Sequence, residues 1–200
     1  LVRLIRARGE HLATGFIGTP VLLFALRESG QAGLADRLLL SETFPSWLYQ
    51  VKIGATTMWE RWDGWTPEKG FQDAGMNSFN HYWLGCVTEY LQTAVAGIDT
   101  DGPGFRKLLM RPETDSGLGK ASATYESIRG KVSSSWVKSN DGGLVWTITV
   151  PANTSARVEI PAPAGAKVTE GGKPVVGAVQ SGDRRVVEVG SGTWRFEVRN

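Results

Sequence analysis

The sequence has few of the side chains that disulfides and metal sites require. Its one cysteine, Cys86, excludes an internal disulfide and a zinc cluster built from thiolates. The two histidines, His11 and His81, argue against a zinc site made from protein side chains alone. The sequence therefore predicts a protein that works without a metal or another cofactor.

The sequence also has a small net charge and no long apolar run. Lysine and arginine number 22 and the acidic residues 20, so the formal net charge is only +2. A nucleic-acid partner would call for a clustered basic face, and none is visible. No run approaches the roughly 18 apolar residues of a membrane helix, so we expect no membrane partner. Residues 1–10 lack the apolar core of a signal peptide, which favours a soluble cytoplasmic protein slightly over a secreted one.

The first half of the chain has the periodicity of helices. Residues 21–26 are apolar almost all round, which predicts a helix buried on most sides. A second apolar stripe runs along residues 34–39. The most regular pattern predicts a helix over residues 78–96, ended by Gly97.

The second half has the alternation of strands. Apolar and polar residues alternate over residues 144–150, after an Asn-Asp-Gly-Gly turn. Further short strands between Gly and Pro turns predict an antiparallel β-sandwich, with strands at 131–137, 156–160, 167–169, 185–189 and 193–198. We therefore predict a helical domain over residues 1–98, a linker over 99–109 and the sandwich over 110–200.

A stretch rich in tryptophan and acidic residues separates two of the predicted helices. Periodicity disappears between residues 53 and 77, and a loop of this length in a compact chain is usually functional. The flat faces of Trp59, Trp62 and Trp65 could stack on sugar rings, while Glu60 and Asp63 could bind hydroxyl groups. The same residues could equally form a packed core with satisfied ion pairs. The pattern alone does not decide between a sugar-binding site and a packed core.

Glu60 and His81 are the side chains of this region best suited to acid–base chemistry and to hydrogen bonding with a ligand. Glu60 lies among three tryptophans and is a candidate acid or base. His81 would lie in the first turn of the predicted 78–96 helix, on the side away from its apolar stripe. A neutral imidazole there could donate one hydrogen bond and accept another, as a sugar hydroxyl requires. A lone histidine could also be structural or simply exposed.

Several long motifs closely resemble those of glycoside hydrolase family 78, which contains α-L-rhamnosidases. The central ones are GATTMWERWD at 54–63, GFQD at 70–73 and MNSFNHY at 76–82. Matching segments flank them nearly throughout the chain: GEHLATGFIGT at 9–19, FPSW at 44–47, SIRG at 127–130 and ITVPANT at 148–154.

The resemblance implies a fold and a reaction. The fold would be the last helices of an (α/α)6 barrel, over residues 1–98, followed by a β-sandwich. The reaction would be hydrolysis of terminal α-L-rhamnosyl bonds with inversion, which requires two carboxyl groups. The family's general base matches Glu60, and its sugar-contacting histidine matches His81. Trp59, Trp62, Trp65 and Asp63 are the further expected substrate-binding residues.

The family's general acid belongs to a segment with no counterpart in this sequence. We therefore expect half of a hydrolytic site, which acts on rhamnose-containing glycosides or polysaccharides in a longer parent protein and is inactive by itself. An incomplete barrel would also leave apolar surface uncovered and favour self-association. The alternatives are a carbohydrate-binding module and a fragment without catalytic activity.

Overall fold

The helical periodicity of the first ninety residues produces short helices joined by long loops. The computed structural model describes residues 1–199, and the chain divides after Tyr90 into two units. The helices of the first unit are α1 (Val2–Ala7), α2 (Thr19–Glu28), α3 (Ala32–Leu39), α4 (Trp47–Lys52) and α5 (Val87–Tyr90). A 3-10 turn over Trp83–Cys86 precedes α5, and β1 (Trp65–Thr66) pairs with β2 (Gly70–Phe71). No helix among residues 1–199 is both long and apolar enough to cross a membrane.

Helix α2 has one buried face and one exposed face. Leu22, Leu23 and Leu26 are buried, whereas the Val21 side chain is 60% exposed. The prediction of a helix buried on most sides is therefore wrong for this chain. The stripe predicted for α3 is confirmed, since Leu34, Ala35, Leu38 and Leu39 are all buried.

The helix predicted over residues 78–96 begins five residues later than expected. Residues 78–82 form an irregular loop, and helical structure starts at Trp83. The reason is that the backbone of this loop is already bonded elsewhere. The Ser78 carbonyl accepts a hydrogen bond from the Glu60 backbone N–H, and the His81 backbone N–H donates to the Met58 carbonyl. A helix from residue 78 would need the Ser78 carbonyl as an intrahelical acceptor, and here that carbonyl accepts from the other loop instead.

The second unit opens with the end of this helical run, a π-helical turn over Leu91–Val95. Gly97 follows with a φ of +76°, the left-handed conformation that commonly ends helices, as predicted. A side chain at Gly97 would also collide with backbone, since a Cβ there would lie 2.3 Å from the Pro112 nitrogen. Position 97 therefore requires glycine both for its positive φ and for the close approach of the Pro112 backbone.

Two sheets make up the rest of the second unit. One has six strands in the order β10-β9-β13-β7-β6-β5, and the other has five in the order β11-β12-β8-β4-β3. The strands are β3 (Ile98–Thr100), β4 (Lys107–Met110), β5 (Lys120–Ser127), β6 (Gly130–Lys138), β7 (Leu144–Val150), β8 (Ser155–Pro161), β9 (Lys167–Glu170), β10 (Lys173–Pro174), β11 (Val179–Ser181), β12 (Arg184–Val189) and β13 (Gly192–Arg199). All pairings are antiparallel except that between β4 and β8, which is parallel.

The predicted strands are confirmed to within one residue at each end. The residues expected to form a linker, 99–109, instead carry most of β3 and β4, which belong to the five-stranded sheet. Strand β5 was not predicted, because its sequence, KASATYES, has no large aliphatic residue. Its alternating exposure nevertheless follows the strand period of two.

A polar bridge crosses the core of the second unit. Ser134 on β6 is buried; its hydroxyl donates to the Ala96 carbonyl and accepts from the indole N–H of Trp146 on β7 at 2.9 Å. Trp136, also on β6, donates its indole N–H to the Val95 carbonyl at 2.8 Å. Both tryptophans are therefore fully buried without leaving an indole donor unpaired.

We expect Ser134→Ala to destabilise the chain by about 1–3 kcal/mol, because it leaves the buried Trp146 indole and Ala96 carbonyl without their partner. Urea denaturation of the 200-residue chain measures this. Ser135→Ala is the matched control, since Ser135 is exposed on the same strand. Equal free energies of unfolding for the two variants would contradict the bridge.

Candidate active site

A cavity of about 470 Å³ opens in the first unit. Its wall comes from four stretches of chain: residues between 8 and 16, residues 44–45, residues 60–63 and Trp83. Aromatic rings and charged groups alternate around this wall, with Phe16, Trp62 and Trp83 beside Glu60 and Arg61. Such a mixture of apolar faces and few polar groups is typical of small-molecule sites.

Glu60 is fixed on this wall by reciprocal bonds with Ser78. The Glu60 backbone N–H donates to the Ser78 carbonyl, and the Ser78 backbone N–H donates to Glu60 Oε2, both at 2.8 Å. Within residues 1–199 no cation forms an ion pair with Glu60. One carboxylate oxygen is thus held by backbone and not by a basic side chain.

The neighbouring charges neutralise each other. Arg61 donates from Nε to Asp63 Oδ1 at 3.1 Å and from Nη2 to Asp63 Oδ2 at 3.3 Å. This bidentate pair explains why Arg61 does not pair with the adjacent Glu60. Asp63 lies on the wall, as a substrate-binding role requires, but with a cation already bound to it.

The three predicted tryptophan platforms have different surroundings. Trp62 lies on the cavity wall and donates its indole N–H to the Thr14 carbonyl at 3.1 Å. Trp59 is buried, with its ring 5.2 Å from that of Phe79. Trp65 lies in β1, opposite Phe71, outside the wall. Only Trp62 of the three is therefore placed to contact a molecule in the cavity.

His81 lies in the loop before the helical run, not in its first turn. Its ring is nearly parallel to Phe16, at 5.2 Å and 12°, and to Tyr82, at 5.0 Å and 16°. Phe16 belongs to the cavity wall, whereas His81 does not line it directly. His81 Nδ1 accepts a hydrogen bond from the Trp83 backbone N–H at 3.4 Å, so in the neutral ring the proton lies on Nε2.

Several wall residues were not among the predicted site residues. They include Arg8, Thr14, Phe16, Phe44 and Trp83. The first three fall in the non-periodic stretch between α1 and α2, where Phe16 and Ile17 interrupt a run of small residues. The available signal in the sequence was this pair of apolar residues in a segment without helical or strand period.

An exposed ion pair anchors the stretch that carries Phe16. Glu10 accepts from Arg37 Nε at 2.7 Å and from Arg37 Nη2 at 3.2 Å, which ties the stretch to α3. These hydrogen bonds from Arg37 hold the pKa of the Glu10 carboxyl below its ordinary value. Arg6 lies farther away, at 4.0 Å, and contributes less.

We expect Arg37→Gln to raise the Glu10 pKa toward the ordinary glutamate value of about 4.3, because the charged form loses its hydrogen bonds. Carbon-detected NMR titration of the 200-residue chain measures this. Arg6→Gln is the control and should move the pKa less. A larger shift from Arg6→Gln would show that Arg37 is not the anchor.

Within residues 1–199, no group of three or more His, Cys, Asp or Glu side chains is arranged to hold a metal ion. The cavity wall presents an oriented carboxylate, aromatic faces and hydrogen-bonding groups. Sugar-binding sites commonly have this combination, since sugar rings stack on aromatic faces and hydroxyl groups meet polar side chains.

The comparison with known proteins agrees with this class. Residues 1–95 match the six-hairpin glycosidase domain of bacterial α-L-rhamnosidases, and residues 97–174 match the C-terminal domain of the same enzymes. The two matches follow each other in chain order and together span most of the sequence. The chain belongs to the bacterial α-L-rhamnosidase family.

Relatives with known activity or structure are similar throughout the chain. An α-L-rhamnosidase of Streptomyces avermitilis is 46% identical over 99% of this chain, and one of Alteromonas sp. is 41% identical over 81%. The structure of the Streptomyces avermitilis enzyme complexed with L-rhamnose matches with a TM-score of 0.90 at 44% identity, covering 99% of this chain. That of the Dictyoglomus thermophilum enzyme matches with a TM-score of 0.88 at 29% identity, covering 98%.

The match covers only a small share of each relative. The chain spans 19% of the Streptomyces avermitilis protein and of its solved structure, 18% of the Alteromonas protein and 22% of the Dictyoglomus chain. Similarity to these enzymes therefore concerns one region of a much longer polypeptide.

Proposed function

We propose that this chain is the part of an inverting α-L-rhamnosidase that carries the general base, Glu60. The helices of the first unit would belong to an (α/α)6 barrel, and the two sheets of the second would form its C-terminal β-sandwich. The substrates would be glycosides or polysaccharides with a terminal α-L-rhamnosyl group. The observation that carries the proposal is the Glu60 carboxylate, oriented by backbone on a cavity wall and not paired with a cation.

The proposed step requires a base on one face of the sugar and an acid on the other. Glu60 takes a proton from a water molecule, whose oxygen attacks the anomeric carbon opposite the leaving group. A second carboxyl group, roughly 6.5–9.5 Å from the first, donates its proton to the departing oxygen. Asp63 is a poor candidate for this acid because both of its carboxylate oxygens already accept hydrogen bonds from Arg61. The acid would therefore come from a segment outside this chain.

The remaining site residues would bind the sugar. Trp62 offers a ring on the cavity wall, and Asp63 offers carboxylate oxygens to hydroxyl groups. His81 would donate from Nε2 to a sugar hydroxyl, since Nδ1 is already an acceptor for the Trp83 backbone. Trp59 and Trp65 would support the loop from behind, because they contact Phe79 and Phe71 and not, as His81 does, a residue of the wall.

The binding-module alternative has less support. It requires aromatic side chains exposed on one face of the second unit. Trp136 and Trp146, two of the three tryptophans in its strands, are fully buried and use their indole donors inside the core. A role in hydrolysis fits the arrangement of residues better than a separate carbohydrate-binding surface.

The first unit exposes apolar side chains that the rest of an enzyme would cover. Leu4, Val21 and Val51 lie on three different helices and are each at least 60% exposed, and Ile17 is 93% exposed. In the longer protein these side chains would pack against further barrel helices. In the isolated chain they favour self-association.

We expect Glu60→Gln in the full-length enzyme, meaning the longer protein to which this chain is proposed to belong, to lower kcat by about a hundred- to ten-thousand-fold. The amide keeps the shape of the carboxylate but cannot accept the proton. The measurement is hydrolysis of an aryl α-L-rhamnoside. The isolated 200-residue chain, assayed beside it, should show no turnover, because it holds only the base.

Glu68→Gln is the matched control, since Glu68 is exposed in the same loop and does not line the cavity. It should keep the activity of the unmodified enzyme. More than a tenth of the original kcat in Glu60→Gln would remove Glu60 from the role of base. Full turnover by the isolated chain would show that it carries its own acid.

A further inference from the structure

Trp83 is in contact with both residues to which the proposed function assigns the most specific roles. Its indole N–H donates to the backbone carbonyl of Glu60, and its backbone N–H donates to His81 Nδ1. Its side chain is only 5% exposed, yet it forms part of the cavity wall. We infer that Trp83 is a positioning residue that sets the orientation of Glu60 and His81 together, an inference that rests on the proposed function.

The effect on Glu60 comes from restraint on both sides of its α-carbon. The Glu60 backbone N–H is bonded to Ser78 and its backbone carbonyl to the Trp83 indole. Oε2 is bonded to the Ser78 N–H, so the side chain is restrained at its end as well. Loss of the indole bond would release the peptide that follows Glu60 while leaving the contacts with Ser78. The carboxylate would then shift about its remaining bond to the Ser78 N–H, away from the position in which it meets a water molecule.

The effect on His81 comes from the choice of tautomer and from ring packing. The bond to the Trp83 backbone makes Nδ1 the acceptor, which leaves Nε2–H as the donor of the neutral ring. The histidine ring lies on Phe16, and the edge of Phe16 meets the Trp83 ring at 4.6 Å and 88°. Trp83 therefore supports His81 from its backbone and, through Phe16, from its ring.

Trp47 provides a matched comparison because it resembles Trp83 in burial and in donating its indole N–H to a backbone carbonyl. It is 6% exposed, and its indole N–H donates to the Leu84 carbonyl at 2.9 Å. Both rings also meet Trp62 edge to face, at 5.2 Å for Trp47 and 6.2 Å for Trp83. Trp47 does not line the cavity and bonds to neither Glu60 nor His81. A purely structural role would give the two tryptophans similar effects on activity.

The test replaces each indole N–H without changing the shape of the side chain. β-(3-Benzothienyl)alanine, in which sulfur takes the place of the N–H group, is introduced at Trp83 or at Trp47 of the full-length enzyme. At Trp83 we expect kcat for an aryl α-L-rhamnoside to fall about ten- to a hundred-fold, since a displacement near 1 Å can cost a hundred-fold. The KM should change less than threefold, because ring packing and the His81 tautomer are retained.

At Trp47 the same replacement should leave kcat within about twofold while lowering the melting temperature as much as at Trp83. Trp83→Phe, which also removes part of the ring under Phe16, should lower kcat and raise KM. This difference separates the indole bond to Glu60 from the support given to His81.

Two results overturn the inference. One is an equal loss of kcat in the enzymes with the replacement at Trp83 and at Trp47. The other is a kcat above half of the original value in the enzyme with the replacement at Trp83. Glu60→Gln, measured on the same day, distinguishes this failure from failure of the proposed function. If Glu60→Gln is inactive and the Trp83 replacement is active, Glu60 remains the base and Trp83 does not position it. If Glu60→Gln is itself active, the proposed function fails and the positioning role fails with it.

Discussion

The site depends on backbone hydrogen bonds that join two loops far apart in the sequence. Residues 57–60 of the tryptophan-rich loop pair with residues 78–81, through the Glu60–Ser78 and His81–Met58 backbone bonds and a bond from the Thr57 hydroxyl to the Phe79 carbonyl. These bonds delay the start of the following helix to Trp83 and place its first residue on the cavity wall. A helix from residue 78 would use the Ser78 carbonyl internally, in competition with its bond from the Glu60 backbone N–H.

The pairing of the charges next to Glu60 also determines the surroundings of its carboxylate. Arg61 is the nearest cation in the sequence, and a pair with Glu60 would stabilise the carboxylate against accepting a proton. The bidentate bond to Asp63 engages Arg61 instead. A second ion pair, between Glu10 and Arg37, holds the stretch that supplies Phe16 to the same wall. The exposed ion pairs thus fix loops, and among residues 1–199 no cation is paired with the Glu60 carboxylate.

Sequence periodicity predicted much of the fold, because periodicity reports which face of an element is buried. It found α3 and the strands from β6 to β9, as well as β12 and β13, but missed β5, whose small and polar residues carry no apolar alternation. It also extended the last helix to residue 78, since apolar spacing cannot show that Ser78 and His81 bond to another loop. Short edge strands such as β10 and β11 lack a buried face and were invisible for the same reason.

The candidate site was predictable where chemistry is local and unpredictable where it depends on tertiary contacts. Glu60, Asp63 and Trp62 are close in sequence, and all three lie on the cavity wall. Trp59 and Trp65 are just as close, yet they face elsewhere, which composition could not reveal. Phe16 and Trp83 came from distant segments, and only the structure shows that they complete the wall around Glu60.

A crystal structure of the full-length enzyme with L-rhamnose would test the central claim most directly, namely that the bonded loops 57–60 and 78–81 form one wall of the sugar site. We expect one rhamnose in the cavity, with the Glu60 carboxylate facing its anomeric carbon and His81 Nε2 within hydrogen-bond distance of a hydroxyl group. The Ser78 N–H should still hold Glu60 Oε2. Rhamnose bound away from this cavity, or a Glu60 carboxylate turned away from the sugar, would contradict the account.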